Sequence, residues 1–428
     1  MSAVSMSVDE AVAAVDSLRS AGRVADAAEL CRQILGARPG RVDVRVRLAH
    51  GLAAMGELDQ AREQATLAVG ASCGADLRML GETWLMLGEL SASVAAFVRG
   101  LGADAYEVGD AERLVQTLNE SGCQAEAGQV AQGLQVASDK RYQRNVEVLR
   151  AGRYLDYPTQ VHMETMARCN ARCTFCPSPV LERSGTRMDD ALISKIIEDL
   201  TDVPRDLPFQ VLPFKVNEPF LDVRLFDILD SVNDRLPHAG ITLTSNASAL
   251  TDKKLLQLGR VKNLSKLYIS FNDHRKEVYE ATMGLPFERT VRRLDALHRA
   301  VARGELALAV VLSRVSDTVD GDVSFRAWCA DRWPRFRSMV LRRGDWLGQV
   351  SIATSDVPDL GCVRWFEMSI TATGTVAHCC MDGQAKWPIG DVREQHVLDI
   401  YNEPGFKRLR TQAVTRMGLE PCGTCTFR

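Results

Sequence analysis

The sequence predicts an α/β protein made of three consecutive parts: a helical repeat region, a parallel sheet covered by helices, and a small cysteine-rich α+β region. Three observations carry this. Gly22, Gly56, Gly88 and Gly122 fall 34, 32 and 34 residues apart, each between two helical segments. From Tyr157 onward, short β-rich runs alternate with amphipathic helical stretches, the pattern of helices packed on a parallel sheet. Eight of the twelve cysteines fall in two clusters, at 169–176 and 362–425.

The first part, residues 1–150, is rich in Ala, Leu, Val, Glu and Arg, with apolar residues at helical spacing and almost no strand signal. Gly22 is followed by Ala27 and Pro39, Gly56 by Ala61 and Ala68, and Gly122 by Ala127. In the third unit Ser93 stands where the others have alanine, while Gly81 and Phe97 keep the pattern. These positions resemble the tetratricopeptide repeat, in which glycine makes the turn and small residues let paired helices approach. The resemblance implies a solenoid whose concave surface holds a protein, a peptide, a carrier or a second copy of the chain. An irregular helical bundle that only caps its neighbour is the alternative. Cys31, Cys73, Cys123 and Cys329 lie alone in helical patterns and are expected to be small core residues.

The second part, residues 158–345, is expected to place strands near 160–165, 209–216, 240–245, 265–271, 307–313 and 336–342. Helices are expected near 189–201, 223–235, 251–260, 287–303 and 323–332. Just after the first strand comes Cys169-Asn-Ala-Arg-Cys173-Thr-Phe175-Cys176. Three thiolates on one tight loop suit an iron–sulfur cluster, and three ligands leave one iron open to chelate a small molecule. A zinc site with His162 as a further ligand, or three structural thiols, are the alternatives.

This spacing, with Phe175 before the last cysteine, resembles the signature of the radical S-adenosylmethionine (SAM) superfamily. The resemblance implies a partial (β/α)6 barrel with SAM at the C-terminal mouth of the strands. Further strand ends fit it. Lys215-Val-Asn217-Glu218-Pro resembles the family's segment in which Glu218 would accept from the SAM amino group, with Asn217 in place of the usual glycine. Thr244-Ser245-Asn246 resembles a segment close to the cofactor. Ser270 and Asn272 match positions that bind the ribose hydroxyls. Arg314 is expected either at the SAM carboxylate or in a surface salt bridge, and His274 is one candidate base among many. No catalytic residue is assigned.

The third part, residues 346–428, holds Cys362, the adjacent Cys379 and Cys380, and Cys422-Gly-Thr-Cys425 around an expected hairpin at 370–376. This order resembles the SPASM/Twitch extension of radical SAM enzymes, which implies an auxiliary 4Fe-4S cluster with four protein ligands. Zinc is the alternative. Successive strand residues face opposite ways, so only one of Cys379 and Cys380 is expected to be a ligand.

A net charge of −3 shows no nucleic-acid footprint, and no cationic leader or membrane-length apolar run is present, so the reading is cytoplasmic, with neither nucleic acid nor membrane as partner. The resemblance implies an oxidoreductase that takes an electron from a donor such as flavodoxin or ferredoxin. It cleaves SAM to a 5′-deoxyadenosyl radical, removes a substrate hydrogen and passes an electron to the auxiliary cluster. The repeats favour a peptide or protein substrate. Dehydrogenation of a sugar or aminocyclitol hydroxyl, and a scaffold with an inactive cluster domain, are the alternatives.

Overall fold

The computed structural model describes residues 7–101, 114–115, 118–119, 122–352 and 357–427. The chain divides into two compact units, Met1–Lys140 and Arg141–Arg428, and the boundary falls inside the helix Gln124–Ala151. The N-terminal residues 1–6, and residues 102–113, 116–117 and 120–121 of the fourth repeat, lie outside the described residues.

The first unit is helical, with Val8–Ser20, Val24–Ala37, Val42–Ala54, Leu58–Leu67, Gly74–Met86 and Leu90–Leu101 in succession. Gly22, Gly56 and Gly88 sit at φ +73°, +80° and +75° between paired helices, a conformation that L side chains resist. The third repeat departs from the pattern for a visible reason. A Cβ on Gly81 would stand 2.5 Å from the Phe97 ring. Ser93, in the same buried contact, donates its hydroxyl to the Gly81 carbonyl at 2.9 Å. Cys31 is buried in this core as expected, and Cys329 in the second unit's core. Cys123 is only half-buried, and Cys73 is exposed because it precedes the helix Gly74–Met86 instead of standing within it.

The second unit is built on one nine-stranded sheet. Strands β1 (Gln160–Met163), β2 (Phe209–Leu212), β3 (Ala239–Ser245), β4 (Leu264–Ser270), β5 (Ala309–Val315) and β6 (Arg337–Leu341) run parallel in that order. Each falls inside or within two residues of its expected range. Alternate residues, such as Val161, Val211, Ile241, Leu243, Leu267, Ile269, Val310 and Leu312, face a core completed by Ile196, Leu229 and Leu294 of the intervening helices. Each such side chain contributes about 1.5–3 kcal/mol on burial. By alternation and register, the face opposite these helices carries Gln160, His162, Gln210, Thr244, Tyr268 and Ser270, a set of polar side chains.

Two features were not foreseen. The helix Lys276–Met283 intervenes between β4 and Phe287–Ala302 and ends at Gly284, φ +63°. The C-terminal strands do not stand apart. β7 (Glu367–Ile370) pairs parallel with β1, and β8 (Thr375–Ala377) and β9 (Pro388–Asp391) follow antiparallel, extending the sheet. No helix among the described residues is long and apolar enough to cross a membrane.

Candidate iron–sulfur and SAM sites

The loop bearing Cys169, Cys173 and Cys176 leaves the end of β1 and is held by its backbone. Arg172 N–H donates to the Met283 carbonyl at 2.8 Å and Thr174 N–H to Thr282 at 3.0 Å, so the unforeseen helix buttresses the loop. Glu218 N–H donates to the Arg168 carbonyl at 2.9 Å, tying the end of β2 to the loop's start. The three thiols are free, half-buried and close enough to perturb one another. Burial pushes all three up, Cys176 to about 12. Backbone N–H groups of Ala171 and Ser178 point at the Cys169 and Cys176 sulfurs, each at 3.4 Å. Convergent thiols with N–H groups aimed at sulfur fit an iron–sulfur cluster, whose binding takes up the thiolate form.

Glu218 is 1% exposed. Its carboxylate accepts from Asn246 N–H at 2.7 Å, Ser245 hydroxyl at 2.9 Å and Phe220 N–H at 3.0 Å. Burial raises its pKa to about 7 against these three donors. Asn246 also donates its side-chain amide to Asn170 of the cysteine loop at 2.9 Å. Glu218, Ser245, Asn246 and the cysteine loop thus form one connected group. Asn217 turns inward, accepting from Lys215 N–H at 2.9 Å.

Of the remaining expected ligands, Phe175 belongs to the cysteine loop itself, Asn272 meets that loop at the Met283 sulfur, to which Cys173 also donates at 3.4 Å, and Arg314 donates to the Asn272 carbonyl. Ser270 ends β4, half-buried. Asn272, at φ +58°, spends its amide on Val315 N–H and the Met283 sulfur. Arg314 corrects the expectation of a surface salt bridge. It is 2% exposed and bonded to Asp273, Asp317 and Asp322, because the end of β5 brings it among carboxylates from the turn after β4, the turn after β5 and the helix Val319–Arg332. Phe175 is half-buried, and its carbonyl accepts from the Trp346 indole at 2.9 Å. His274 packs on Trp328, where burial lowers its pKa.

At the C-terminal site, Cys362, Cys379, Cys422 and Cys425 line one cavity with Arg364, Trp365, His378 and Arg416. Cys380 does not line it. Its sulfur lies with His162 and Glu367, their nearest polar atoms within 4.8 Å of one another. β8 ends at Ala377, so both cysteines stand in the bend beyond it, and the bend, not strand alternation, separates them. Burial pushes Cys422 to about 11, Cys425 to about 12 and Cys379 well up. The Trp365 indole donates to Cys422 sulfur at 3.5 Å, and His378 Nε2 lies 3.2 Å from it. Buried cations flank the site. Lys215, 1% exposed, donates to the Cys379 and Asp382 carbonyls and to Ser369, none of them a carboxylate. Arg364 is paired with Glu367, but Lys215 and Arg416 bond no carboxylate, and four convergent sulfurs with these two cations beside them fit an anionic cluster.

Sequence reasoning missed Lys215, His378, Arg416 and Tyr142. Lys215 and His378 adjoin motifs and carried a weak signal. Tyr142 lies 220 residues from the Cys362 it touches and carried none.

Residues 163–317 match the radical SAM superfamily, residues 362–426 the SPASM iron–sulfur cluster-binding domain, and residues 18–69 a tetratricopeptide repeat. Over 257 residues the chain is 24% identical to the S-adenosyl-L-methionine-dependent 2-deoxy-scyllo-inosamine dehydrogenase of Niallia circulans, covering 59% of this chain and 85% of that protein. Among solved structures, BtrN in complex with AdoMet and 2-DOIA is 18% identical, with a TM-score of 0.44, covering 62% of this chain and 92% of BtrN. Streptococcus suis SuiB bound to precursor peptide SuiA is 14% identical, with a TM-score of 0.49, covering 78% and 86%. The chain carries a radical SAM domain, a SPASM domain and a tetratricopeptide repeat. The two metal-binding domains imply a SAM-binding 4Fe-4S cluster, an auxiliary cluster and SAM.

Proposed function

We propose that this chain, a radical SAM protein with a SPASM domain and repeats, is an oxidoreductase that removes a hydrogen atom and then an electron from one substrate carbon. Cys169, Cys173 and Cys176 hold the first cluster, and Cys362, Cys379, Cys422 and Cys425 the second. The observation that carries this reading is the pair of convergent cysteine groups, the first joined through Asn170 and Asn246 to Glu218. Bound there, the clusters and SAM supply a 5′-deoxyadenosyl radical at one site and an electron acceptor at the other.

The chain's own residues position and shield. Glu218 takes the SAM amino group, while Ser245 and Asn246 hold its carboxylate in place. Ser270 offers its hydroxyl and Asn272 its second amide N–H to the ribose, Phe175 shields the first cluster, and Asn217 shapes the turn. The domains run 1–150, 158–345 and 346–428. The sheet's polar face, opposite the packed helices and bearing Tyr268 and Gln210, receives the substrate. A positioned radical and an excluded solvent account for most of what the protein must add. The substrate we assign is a peptide or protein presented by the repeats, and an external reductant such as flavodoxin or ferredoxin supplies the electron. The 24% identity to a dehydrogenase favours a second reading, oxidation of a small cyclitol hydroxyl to a ketone.

The test is anaerobic. Reduced protein with SAM should release 5′-deoxyadenosine, and a Cys169/Cys173/Cys176 triple alanine variant should release none. Equal release from both would reject the reading. Turnover unchanged after removal of residues 1–140 would reject the peptide assignment.

A further inference from the structure

Arg416 is 1% exposed, lines the cavity of the second cysteine group, and has no carboxylate among its hydrogen-bond partners. Its guanidinium donates to the Leu360, Gly361 and Phe427 carbonyls and to the Tyr142 hydroxyl oxygen, the last at 3.4 Å. Tyr142 stands on the helix Gln124–Ala151, outside both metal-binding domain matches. Its hydroxyl oxygen also accepts from Val363 N–H at 3.1 Å, and Cys362 sulfur lies 3.6 Å away.

A phenol has one proton and two acceptor lone pairs. Val363 and Arg416 occupy the acceptor side. The one proton is therefore left for the Cys362 sulfur, and the guanidinium strengthens that donation by polarising the O–H bond. Donors aimed at ligating sulfur and nearby positive charge both stabilise the more negative, reduced state of an iron–sulfur cluster.

We propose that Tyr142, polarised by Arg416, is a positioning residue that sets the reduction potential of the auxiliary cluster upward through an O–H bond to the Cys362 sulfur. This rests on the reading of Cys362 as a cluster ligand. It gives the helix Gln124–Ala151 a chemical role that its place beside the repeats does not suggest.

The experiment isolates the second cluster in the full chain carrying Cys169→Ala, Cys173→Ala and Cys176→Ala, reconstituted anaerobically. Its midpoint potential is read by titration against redox dyes with electron paramagnetic resonance of the reduced state. Tyr142→Phe keeps the ring and removes only the hydroxyl, so the midpoint should move to more negative potential. Arg416→Met should move it the same way and Arg416→Lys less. Replacing Tyr142 alone with 3-fluorotyrosine, a stronger donor of unchanged shape, should move it to more positive potential. That variant decides the matter if Tyr142→Phe fails to retain iron. A midpoint indifferent to 3-fluorotyrosine and to Tyr142→Phe would overturn the inference while leaving the cluster assignment intact. No iron in the triple alanine background would overturn the cluster reading itself, and the inference with it.

Discussion

The backbone N–H of Asn246 donates to the Glu218 carboxylate at 2.7 Å, which fastens the end of β3 to the end of β2 beneath the cysteine loop. Every donor to this buried carboxylate comes from the protein's own framework, so the group is held before any ligand arrives. Glu218→Gln should keep the fold and lose the charge. A hydrogen bond to a charged group is worth about 1.5–3 kcal/mol, so SAM affinity should fall roughly 10- to 150-fold. Equilibrium binding to reconstituted protein measures it, with circular dichroism as the control.

The same residue predicts a pH dependence. Burial raises the pKa of Glu218 to about 7, so protonation competes with its role as acceptor. SAM binding should weaken as pH falls through 7, by at most about tenfold per unit, and level off once the total loss reaches that of the Gln variant. Because the folded pKa is raised, this carboxyl also disfavours the folded state increasingly as pH rises from the ordinary glutamate range towards 7. The Gln variant should lose the Glu218 part of the binding dependence. A native profile flat between pH 6 and 7.5 would contradict the assignment.

Cys379 lines the second cavity and Cys380 does not. Cys379→Ser should therefore cost the second cluster, while Cys380→Ser should retain it. Iron content and the visible absorption of reconstituted protein report both. The reverse outcome would move the ligand to Cys380.

In the repeat unit, Gly81 leaves room for Phe97 alone. Gly81→Val should destabilise that unit by about 1–3 kcal/mol through overpacking. Thermal unfolding should show a lowered transition, and iron content should be unchanged.

What was legible follows from the range of the forces involved. The helices between Gly22 and Gly88 and the strands β1 to β6 were legible because glycine turns and apolar alternation act within a few residues. The cysteine loops were legible for the same reason. β7 pairing with β1 was not, since Met368 is hydrophobic in any sheet and nothing local names its partner. The ion cluster around Arg314 and the Tyr142 contact with Cys362 depend on residues brought together only by the folded chain. Cys73 misled because a cysteine in a helical pattern reads alike at the helix start and in its interior.

The central claim is that the chain holds two iron–sulfur clusters, and iron and sulfide analysis with Mössbauer spectra tests it most directly. Anaerobically reconstituted native protein should hold about eight irons, falling to about four in the Cys169/Cys173/Cys176 triple alanine variant. About four irons falling to none, with zinc in the C-terminal site, would contradict the account and remove the electron acceptor from the proposed reaction.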